Sequence, residues 1–398
     1  MAPMTLKNAV EPILWLNRIF CMGIFEIPTN NPQLIFSVLY VILVSIGYFV
    51  LFYNLLVIFQ LTLLHDFAIF FFVLGVNIFV AGVAIILYWY KSENLLIIIK
   101  KMNYADSTLE TLGIHQNYRK LFHRIISILI FYTILMLLLS VMHLLWIYSD
   151  VNVFGLTVLT TICFCFPIMV NFVVDVTFIS TIICVNRKFK YTNYLINKVV
   201  ACANESSDCK TFRDKRENTP ITIYKAQYKN NKHKMMHLIQ ILRQLHLEFT
   251  KISRLINDTF CAQLLLEFAV HFTVVTACSY NLYAAFTGKI GVSFGTEKII
   301  STIIWGSVYS LKVIFVNNMC NNLAAEAYKT GEIIQSFAGS AIDDEVREEI
   351  QQFTQQIMLN ALNFTAAGFF TIDNSFTGKF FATVTTYVVI LIQINPPI

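Results

Sequence analysis

Charge is what this sequence most lacks. Only 13% of its 398 residues are charged, against roughly a quarter in soluble globular proteins. Proline and glycine are also sparse, at 8 and 14 residues, while phenylalanine reaches 35 and tyrosine 18. So little charge excludes an ordinary soluble domain, and a net charge of +5 implies no nucleic-acid partner. The composition predicts long helices whose outer faces contact membrane lipid.

A secretory signal is missing from the amino-terminal residues 1–33. Glu11, Arg18 and Glu26 interrupt the apolar residues there, and no small-residue cleavage site follows. We therefore expect residues 1–33 to be retained as a cytoplasmic segment that lies on the membrane surface or packs under a helical bundle.

Cysteines placed for extracellular disulfides are missing as well. All nine cysteines fall in predicted helices or predicted inner loops. Cys163 and Cys165 are the only closely spaced two, and they lie in an apolar run without a second pair to complete a metal site. We expect neither a disulfide framework nor a bound metal or cofactor.

No set of residues typical of an enzyme is present. His65 lies in a predicted outer loop, whereas His115 and His123 lie in a predicted inner one. The sequence has no nucleophile elbow and no glycine-rich phosphate loop. We expect a protein that is not an enzyme.

What the sequence does have is long apolar runs. A membrane-spanning helix needs about 20 mostly apolar residues. Six runs reach this length and a seventh is shorter; they cover residues 34–59, 66–89, 125–148, 156–184, 260–287, 299–318 and 380–394. The predicted fold is an all-α membrane protein with seven transmembrane helices, of which the last is the weakest by length.

The loops between these runs differ in charge. With the amino terminus inside, the first inner loop is rich in Lys and Arg, while the short outer connections near residues 65–66 and 149–150 contain none. Because Lys and Arg of short loops stay on the cytoplasmic side, this pattern predicts a cytoplasmic amino terminus, an extracellular carboxyl terminus and a multi-pass protein of the plasma membrane.

A further helix is predicted on the cytoplasmic side, ahead of the last span. It begins with acidic residues around position 343, which suit a helix amino terminus. Its apolar residues recur at near-helical spacing, at Val346, Ile350, Phe353, Ile357 and Phe364. This face needs a partner, so we expect a cytoplasmic helical layer built with the extended ends of the spans.

Three ionisable residues stand inside the predicted spans, namely Asp175, Glu267 and Lys312. Charges within a membrane are costly and either pair with one another or serve a function. All three lie toward the inner half of the bundle, so either acid can serve as the buried partner of Lys312. A structural pair is favoured over a direct role in ion passage.

Aromatic and polar residues gather in the predicted outer half of the bundle. Such a mixture lines ligand cavities between helices, where apolar walls supply contact area and polar groups orient the ligand. Because Trp and Tyr also anchor helices at membrane interfaces, packing is favoured for any single residue and a pocket for the set. The candidate ligand-binding residues are Phe71, Asn77, His143, Trp146, Tyr280, Tyr283, Trp305 and Tyr309.

The last run has a pattern of its own. Thr386, either Val389 or Ile390, and Gln393 share a helix face, so a polar residue follows a branched apolar one. Repeated by rotational symmetry, this face forms a ring of amides above a ring of aliphatic groups, which can gate by dewetting without selecting strongly among ions. A contact that buries Gln393 against a neighbouring helix explains the spacing equally well.

The same segment resembles the signature of the insect gustatory receptor family. That signature reads Thr-Tyr, five mostly hydrophobic residues, then Gln-Phe. This chain has Thr386 and Tyr387, five apolar residues and Gln393, with Ile394 in place of the final Phe. The family-like residues that precede it are Gly368, Phe369, Phe370 and Asp373.

This resemblance, which extends to the related insect odorant receptors, implies a homotetrameric or heteromeric ligand-gated cation channel. It implies a ligand-binding bundle of six helices at 34–320 with a long cytoplasmic loop at 187–254. It further implies anchor helices in the cytoplasm at 321–365 and, at 366–398, a pore-lining helix with the extracellular carboxyl terminus. The last helix would thus be split into cytoplasmic and pore-lining halves. Gln393 and Ile390 would form the gate, with Thr386 and Tyr387 beside them.

The ligand class is narrowed by one residue. The sugar-receptor branch has Glu directly after Thr-Tyr, whereas this chain has Val388. A bitter plant compound is therefore the favoured small-molecule tastant, and a sugar such as fructose remains an alternative. The alternative protein classes are a seven-helix G-protein-coupled chemoreceptor, which would place the amino terminus outside, and a solute transporter, which would show inverted repeats.

Overall fold

The computed structural model describes residues 5–25, 32–60, 68–114, 117–204, 232–287, 295–336 and 344–394. In these residues the chain forms ten helices and one two-stranded hairpin. The helices are α1 (Leu6–Ile19), α2 (Leu34–Gln60), α3 (Ala68–Tyr90), α4 (Ser92–Thr111), α5 (Tyr118–Val151), α6 (Phe154–Asn204), α7 (Lys232–Phe286), α8 (Thr296–Gln335), α9 (Asp344–Leu359) and α10 (Asn374–Ile394). The hairpin pairs β1 (Thr365–Ala366) with β2 (Phe370–Thr371).

Seven of these helices are long and apolar enough to cross a membrane, namely α2, α3, α5, α6, α7, α8 and α10. The predicted all-α fold with seven spans is confirmed. With 51 and 55 residues, α6 and α7 extend about 75–85 Å at 1.5 Å per residue, more than twice the roughly 30 Å hydrocarbon core. Both helices continue into the predicted loop 187–254, of which residues 205–231 lie outside the described residues.

The centre of the bundle is α6. In its most apolar window 83% of the residues are buried inside the protein, against 6% for α2. Exposed apolar side chains such as Leu39 and Leu43 cover α2, and lipid tails are apolar enough to solvate them. The two helices therefore have different surroundings, protein for α6 and lipid for α2.

The first helix, α1, packs against the bundle. Thr177 of α6 donates a hydrogen bond to Asn17 (2.9 Å), and the amide of Asn17 donates to the Tyr88 hydroxyl of α3 (2.8 Å). Just after α1, the carbonyl of Cys21 accepts from the Trp89 indole at 2.8 Å. In the described residues, α1 and the turn after it thus pack against α3 and α6.

The extended ends of α7 and α8 are joined by α9. Phe353 is fully buried with its ring centroid 5.7 Å from that of His246, and Arg243 pairs with Glu349 at 2.7 Å. Phe364, which the periodicity placed in the same helix, lies beyond its end because the chain turns there into the hairpin, although the side chain is buried. The helix starts with the acidic residues Asp344 and Glu345, as predicted, and Asp343 lies outside the described residues. We call this end of the molecule the α9 end.

Between α9 and α10 the hairpin turns through Ala367 and Gly368, with φ values of +48° and +78°. Glycine adopts this left-handed region without steric cost. The turn is closed by a hydrogen bond of 2.9 Å from the amide of Phe369 to the carbonyl of Ala366. Residues 366–373 thus form a hairpin and a cap, whereas the sequence placed them in the last helix.

The carboxylate of Asp373 caps α10. Its Oδ1 accepts from the amide of Phe376 at 2.8 Å, as an N-cap side chain does. Backbone hydrogen bonding to the charged form holds the pKa of Asp373 below its ordinary value. With this start α10 has 21 residues, enough to cross a membrane, although its apolar run alone was the shortest of the seven.

Candidate ligand layer, charged cluster and pore helix

Three helices bring aromatic rings together on one level of the bundle. His143 of α5 stacks on Phe164 of α6 with ring centroids 4.3 Å apart, and Phe164 meets Trp305 of α8 edge-on at 5.7 Å. Trp305 is 6.0 Å from Tyr309, one turn further along α8. Three of the predicted pocket residues are therefore connected, and Phe164, which the sequence did not single out, joins them.

Three polar groups at this level have no hydrogen-bond partner in the described part of the chain: Trp305 Nε1, Ser301 Oγ and Thr276 Oγ1. Ser301 precedes Trp305 by one turn of α8. Thr276 of α7 is two residues from Cys278, which adjoins Gly306 of α8, and side chains two residues apart in a helix point to nearly opposite sides. Thr276 instead shares a face with Phe272, whose ring meets Tyr387 of α10. We call the set His143, Phe164, Ser301 and Trp305 the aromatic layer, and Thr276 lies outside it.

The other predicted pocket residues lie at the edges of this layer or away from it. The half-buried ones are Phe71, Trp146, Tyr280 and Tyr283. Asn77 of α3 accepts a hydrogen bond from Asn171 of α6 at 3.4 Å, nearer to the α9 end than the layer. The structure thus separates Asn77 from the aromatic layer.

Toward the α9 end, the ammonium of Lys312 contacts two carboxylates. It forms ion pairs with Asp175 of α6 and with Glu267 of α7, the latter at 3.4 Å. The amide of Gln263 donates to the other oxygen of Glu267 at 3.2 Å, and the ammonium lies 3.9 Å from the ring centroid of Phe172. The structure therefore brings together all three ionisable residues that the sequence placed inside the spans.

His271 of α7 completes this group. The ligating atoms of Asp175, Glu267 and His271 lie within 4.8 Å of one another, a spacing that a metal ion could use. Since Lys312 contacts both carboxylates, its ammonium supplies the positive charge there, and an ion-paired group fits the geometry better than a metal centre. We call Asp175, Glu267, His271 and Lys312 the charged cluster. His271 follows Glu267 by four residues, so helical spacing alone could have identified it.

A second buried ion pair was missed by the sequence analysis. Lys188 of α6 pairs with Asp106 of α4, whose second oxygen accepts from the Tyr118 hydroxyl of α5 at 2.7 Å. All of α4 lies in a stretch that was treated as an inner loop. This pair fastens α4 and α5 to α6, and its role is structural.

The last helix, α10, contacts the bundle through one face. Phe380 and Val384 are buried, and Phe272 of α7 meets Tyr387 edge-on at 5.2 Å. Asn317 of α8 donates to the Thr377 hydroxyl at 2.8 Å. Tyr387, predicted beside the gate, thus directs its ring toward α7.

The opposite face of α10 is exposed. Thr386, Ile390 and Gln393 are all exposed, and Val384, nine residues before Gln393, is buried. Nine residues are two and a half helical turns, which places the two side chains on opposite faces. The alternative in which Gln393 is buried by a neighbouring helix of its own chain is therefore wrong for the described residues.

The family-like residues before α10 also have a packing role. Phe370 of the hairpin stacks on Phe376 of α10 with centroids 4.1 Å apart. Both rings contact Phe268 of α7 edge-on, at 5.6 and 5.2 Å. These contacts and the Asp373 cap fix where α10 leaves the hairpin and which of its faces meets α7.

Seven apolar helices around a buried aromatic layer and a buried charged cluster define a multi-pass helical membrane protein. The particular family follows from comparison with known proteins. The family model for the 7tm chemosensory receptors matches residues 11–396, and the chain belongs to that family, which is a receptor family and not an enzyme family.

Gustatory receptors are among its relatives. Gustatory receptor 68a of Drosophila melanogaster is 33% identical over 167 residues, 41% of this chain and 41% of the relative. Gustatory and pheromone receptor 32a of the same species is 33% identical over 153 residues, 38% of this chain and 32% of the relative. The chain thus matches about a third to two fifths of the length of these curated relatives.

The fold is also that of a solved insect receptor. The olfactory receptor OR5 from Machilis hrabei in complex with eugenol superposes with a TM-score of 0.70 and 14% sequence identity, covering 98% of both chains. The same receptor's other structure gives a TM-score of 0.67. At this identity the likeness shows a shared fold over the whole chain.

Proposed function

We propose that this chain is a gustatory receptor subunit of a ligand-gated, non-selective cation channel in the plasma membrane. A small external tastant, a bitter plant compound in preference to a sugar such as fructose, binds among the helices and opens a central pore. Several copies, or this chain with related receptors, surround that pore, with four subunits expected.

The exposed face of α10 carries this proposal. This helix presents Thr386, Ile390 and Gln393 away from its own bundle. If lipid covered that face, the amide of Gln393 would have no hydrogen-bond partner, which costs free energy. A central pore around a rotation axis gives this face water and ions instead. Ile390 then forms an apolar constriction and Gln393 an uncharged polar ring.

Two further regions fit a channel subunit. The helical layer of α7, α8 and α9 holds the α9 end together by buried contacts such as that of Phe353, which suits a site where subunits are fastened. The aromatic layer combines apolar walls with a few polar groups, as ligand sites between helices do. The OR5 receptor, whose fold this chain shares, was solved in complex with the small molecule eugenol.

Ion permeation through a Gln393→Glu channel tests the gate. A ring of carboxylates in place of amides attracts divalent cations, so we expect the permeability to Ca²⁺ relative to Na⁺ to rise several-fold. The measurement is the reversal potential of ligand-evoked current in cells that express this chain, with a panel of bitter compounds and fructose as stimuli.

Gln351→Glu is the matched control, because Gln351 is exposed on α9, outside the proposed pore. It should leave permeability unchanged. Equal permeability ratios in the wild-type protein and Gln393→Glu, at comparable surface expression, would refute a pore-lining Gln393. Stoichiometric uptake without channel current would favour a transporter instead.

A further inference from the structure

We propose that the aromatic layer selects neutral, flat, mostly apolar ligands that carry a hydrogen-bond acceptor, and that Trp305 Nε1 donates to that acceptor. This inference rests on the proposed function, which places the ligand among these helices, and adds the chemical class that the site recognises.

The indole of Trp305 sets the first requirement. Its N–H can only donate, it is 5% exposed, and it has no acceptor in the described part of the chain. Buried donors are almost always paired. A carbonyl or ether oxygen on a ligand is the partner that satisfies this group.

A hydroxyl group adds a second requirement. Most buried hydroxyls in these helices donate to the carbonyl four residues earlier, as Thr160 and Thr302 do at 2.8 Å each. Ser301 Oγ, one turn before Trp305 on the same face of α8, has no partner in the described residues. A hydroxyl that is not used within its own helix is available to a ligand. The indole of Trp305 and the hydroxyl of Ser301 can therefore both donate to a ligand.

The walls set the shape and polarity of the ligand. Phe164 lies between His143 and Trp305, with one stacked and one edge-on contact. Aromatic faces pack well against flat, apolar rings. A polyol would bury many hydroxyls against these walls with few polar groups to pair them, and unpaired buried hydroxyls are costly.

Charge argues against ammonium ligands. The carboxylates of Asp175 and Glu267 are both held by Lys312, which is seven residues, or about 10 Å of helix, from Trp305. The charged residue buried on the same face of α8 nearer to the layer is a cation, Lys298. Both carboxylates of the charged cluster are thus already paired with Lys312, so neither is available to a cationic ligand in the layer.

Four probes separate these ligand classes. Acetophenone and α-methylstyrene have nearly the same shape and differ in a carbonyl against a methylene; benzyltrimethylammonium supplies a cation, and fructose a polyol. The measurement is equilibrium dialysis with the full-length protein purified in detergent micelles. We expect acetophenone to bind about 3- to 10-fold more tightly than α-methylstyrene, the contribution of one hydrogen bond, and the ammonium and the sugar to bind more weakly than acetophenone.

Variants assign the preference to the layer. Trp305→Phe should remove most of the preference for acetophenone while α-methylstyrene binding changes by less than about twofold. Ser301→Ala, which removes the second donor on the same face of α8, should reduce the preference more mildly. Trp15→Phe, at an exposed ring on α1, is the control and should change neither affinity.

Several results would overturn the inference. They are equal binding of acetophenone and α-methylstyrene by the wild-type protein, equal loss of both in Trp305→Phe, preference for the ammonium or for fructose, and binding of neither aromatic probe. Failure of the proposed function would give a different experimental result. Selective binding of acetophenone without any evoked current would refute the channel and leave the assigned ligand class intact.

Discussion

The aromatic layer, on α5, α6 and α8, lies about two turns of α8 from the charged cluster, which is on α6, α7 and α8. In the charged cluster the three charged groups are tied to one another, with Lys312 in contact with both carboxylates, whereas the ring nitrogens of His271 have no hydrogen-bond partner in the described residues. In the aromatic layer the main donor, Trp305 Nε1, and the Ser301 hydroxyl both have no partner in the described residues. Buried polar groups that pair internally hold a fold together, whereas those without a partner are available to a ligand.

This difference separates two roles that the sequence presented together. Asp175, Glu267 and Lys312 are the costliest residues in the spans and draw attention first, yet their contacts fit a structural role. Trp305 and Ser301 are ordinary membrane-helix residues, and only their missing partners distinguish them. The comparison can be tested at both levels.

The largest effect is expected for Lys312→Met. Removing the ammonium leaves two carboxylates buried without a counter-ion, and breaking a buried pair from one side costs about 3–5 kcal/mol. We expect little folded protein at the cell surface, measured by surface labelling and by the yield of monodisperse protein in detergent. Adding Asp175→Asn and Glu267→Gln to the same chain should restore part of that yield.

Lys329→Met is the control, since Lys329 is exposed on the same helix, and its yield should match that of the wild-type protein. A Lys312→Met protein that folds and reaches the surface normally would show that the cluster does not stabilise the fold. The contrast between the two levels of the bundle would then be lost.

A smaller effect compares two threonines directly. Thr177→Val removes the donor that Asn17 accepts from at 2.9 Å, and leaving a buried acceptor unpaired costs about 1–3 kcal/mol. Thr276→Val removes a hydroxyl without a partner in the described residues, so we expect no loss of stability and a slight gain. The measurement is the midpoint of thermal unfolding of both variants in the same detergent.

A drop in the midpoint for Thr276→Val as large as that for Thr177→Val would mean that the Thr276 hydroxyl is satisfied within the protein. Buried groups without a partner in the described residues would then differ less from paired ones than the contacts indicate.

Much of the fold could be predicted from the sequence because the membrane imposes it. About 20 apolar residues in a row have few alternatives to a spanning helix, so seven spans could be expected, whereas the split of the last helix was implied only by the family resemblance. The lengths by which α6 and α7 extend beyond the bilayer were harder to predict, because a polar stretch such as 187–204 is compatible with either a projecting helix or a loop.

The candidate site was predictable only in part. His143, Trp305 and Tyr309 were proposed by residue type, but Phe164 links them through contacts between separate helices that no local pattern encodes. The pairing of Lys312 with both acids likewise depends on the relative rotation of three helices. Asp373 could have been recognised as a helix cap, which explains why α10 is longer than its apolar run.

The central claim is that the exposed face of α10 lines an ion pore. Gln393→Cys and Val384→Cys place a thiol on opposite faces of that helix. We expect a positively charged, membrane-impermeant thiol reagent to reduce ligand-evoked current irreversibly in Gln393→Cys and to leave Val384→Cys and the wild-type protein unchanged. Current that is insensitive to the reagent at position 393, or equally sensitive at both positions, would contradict the claim.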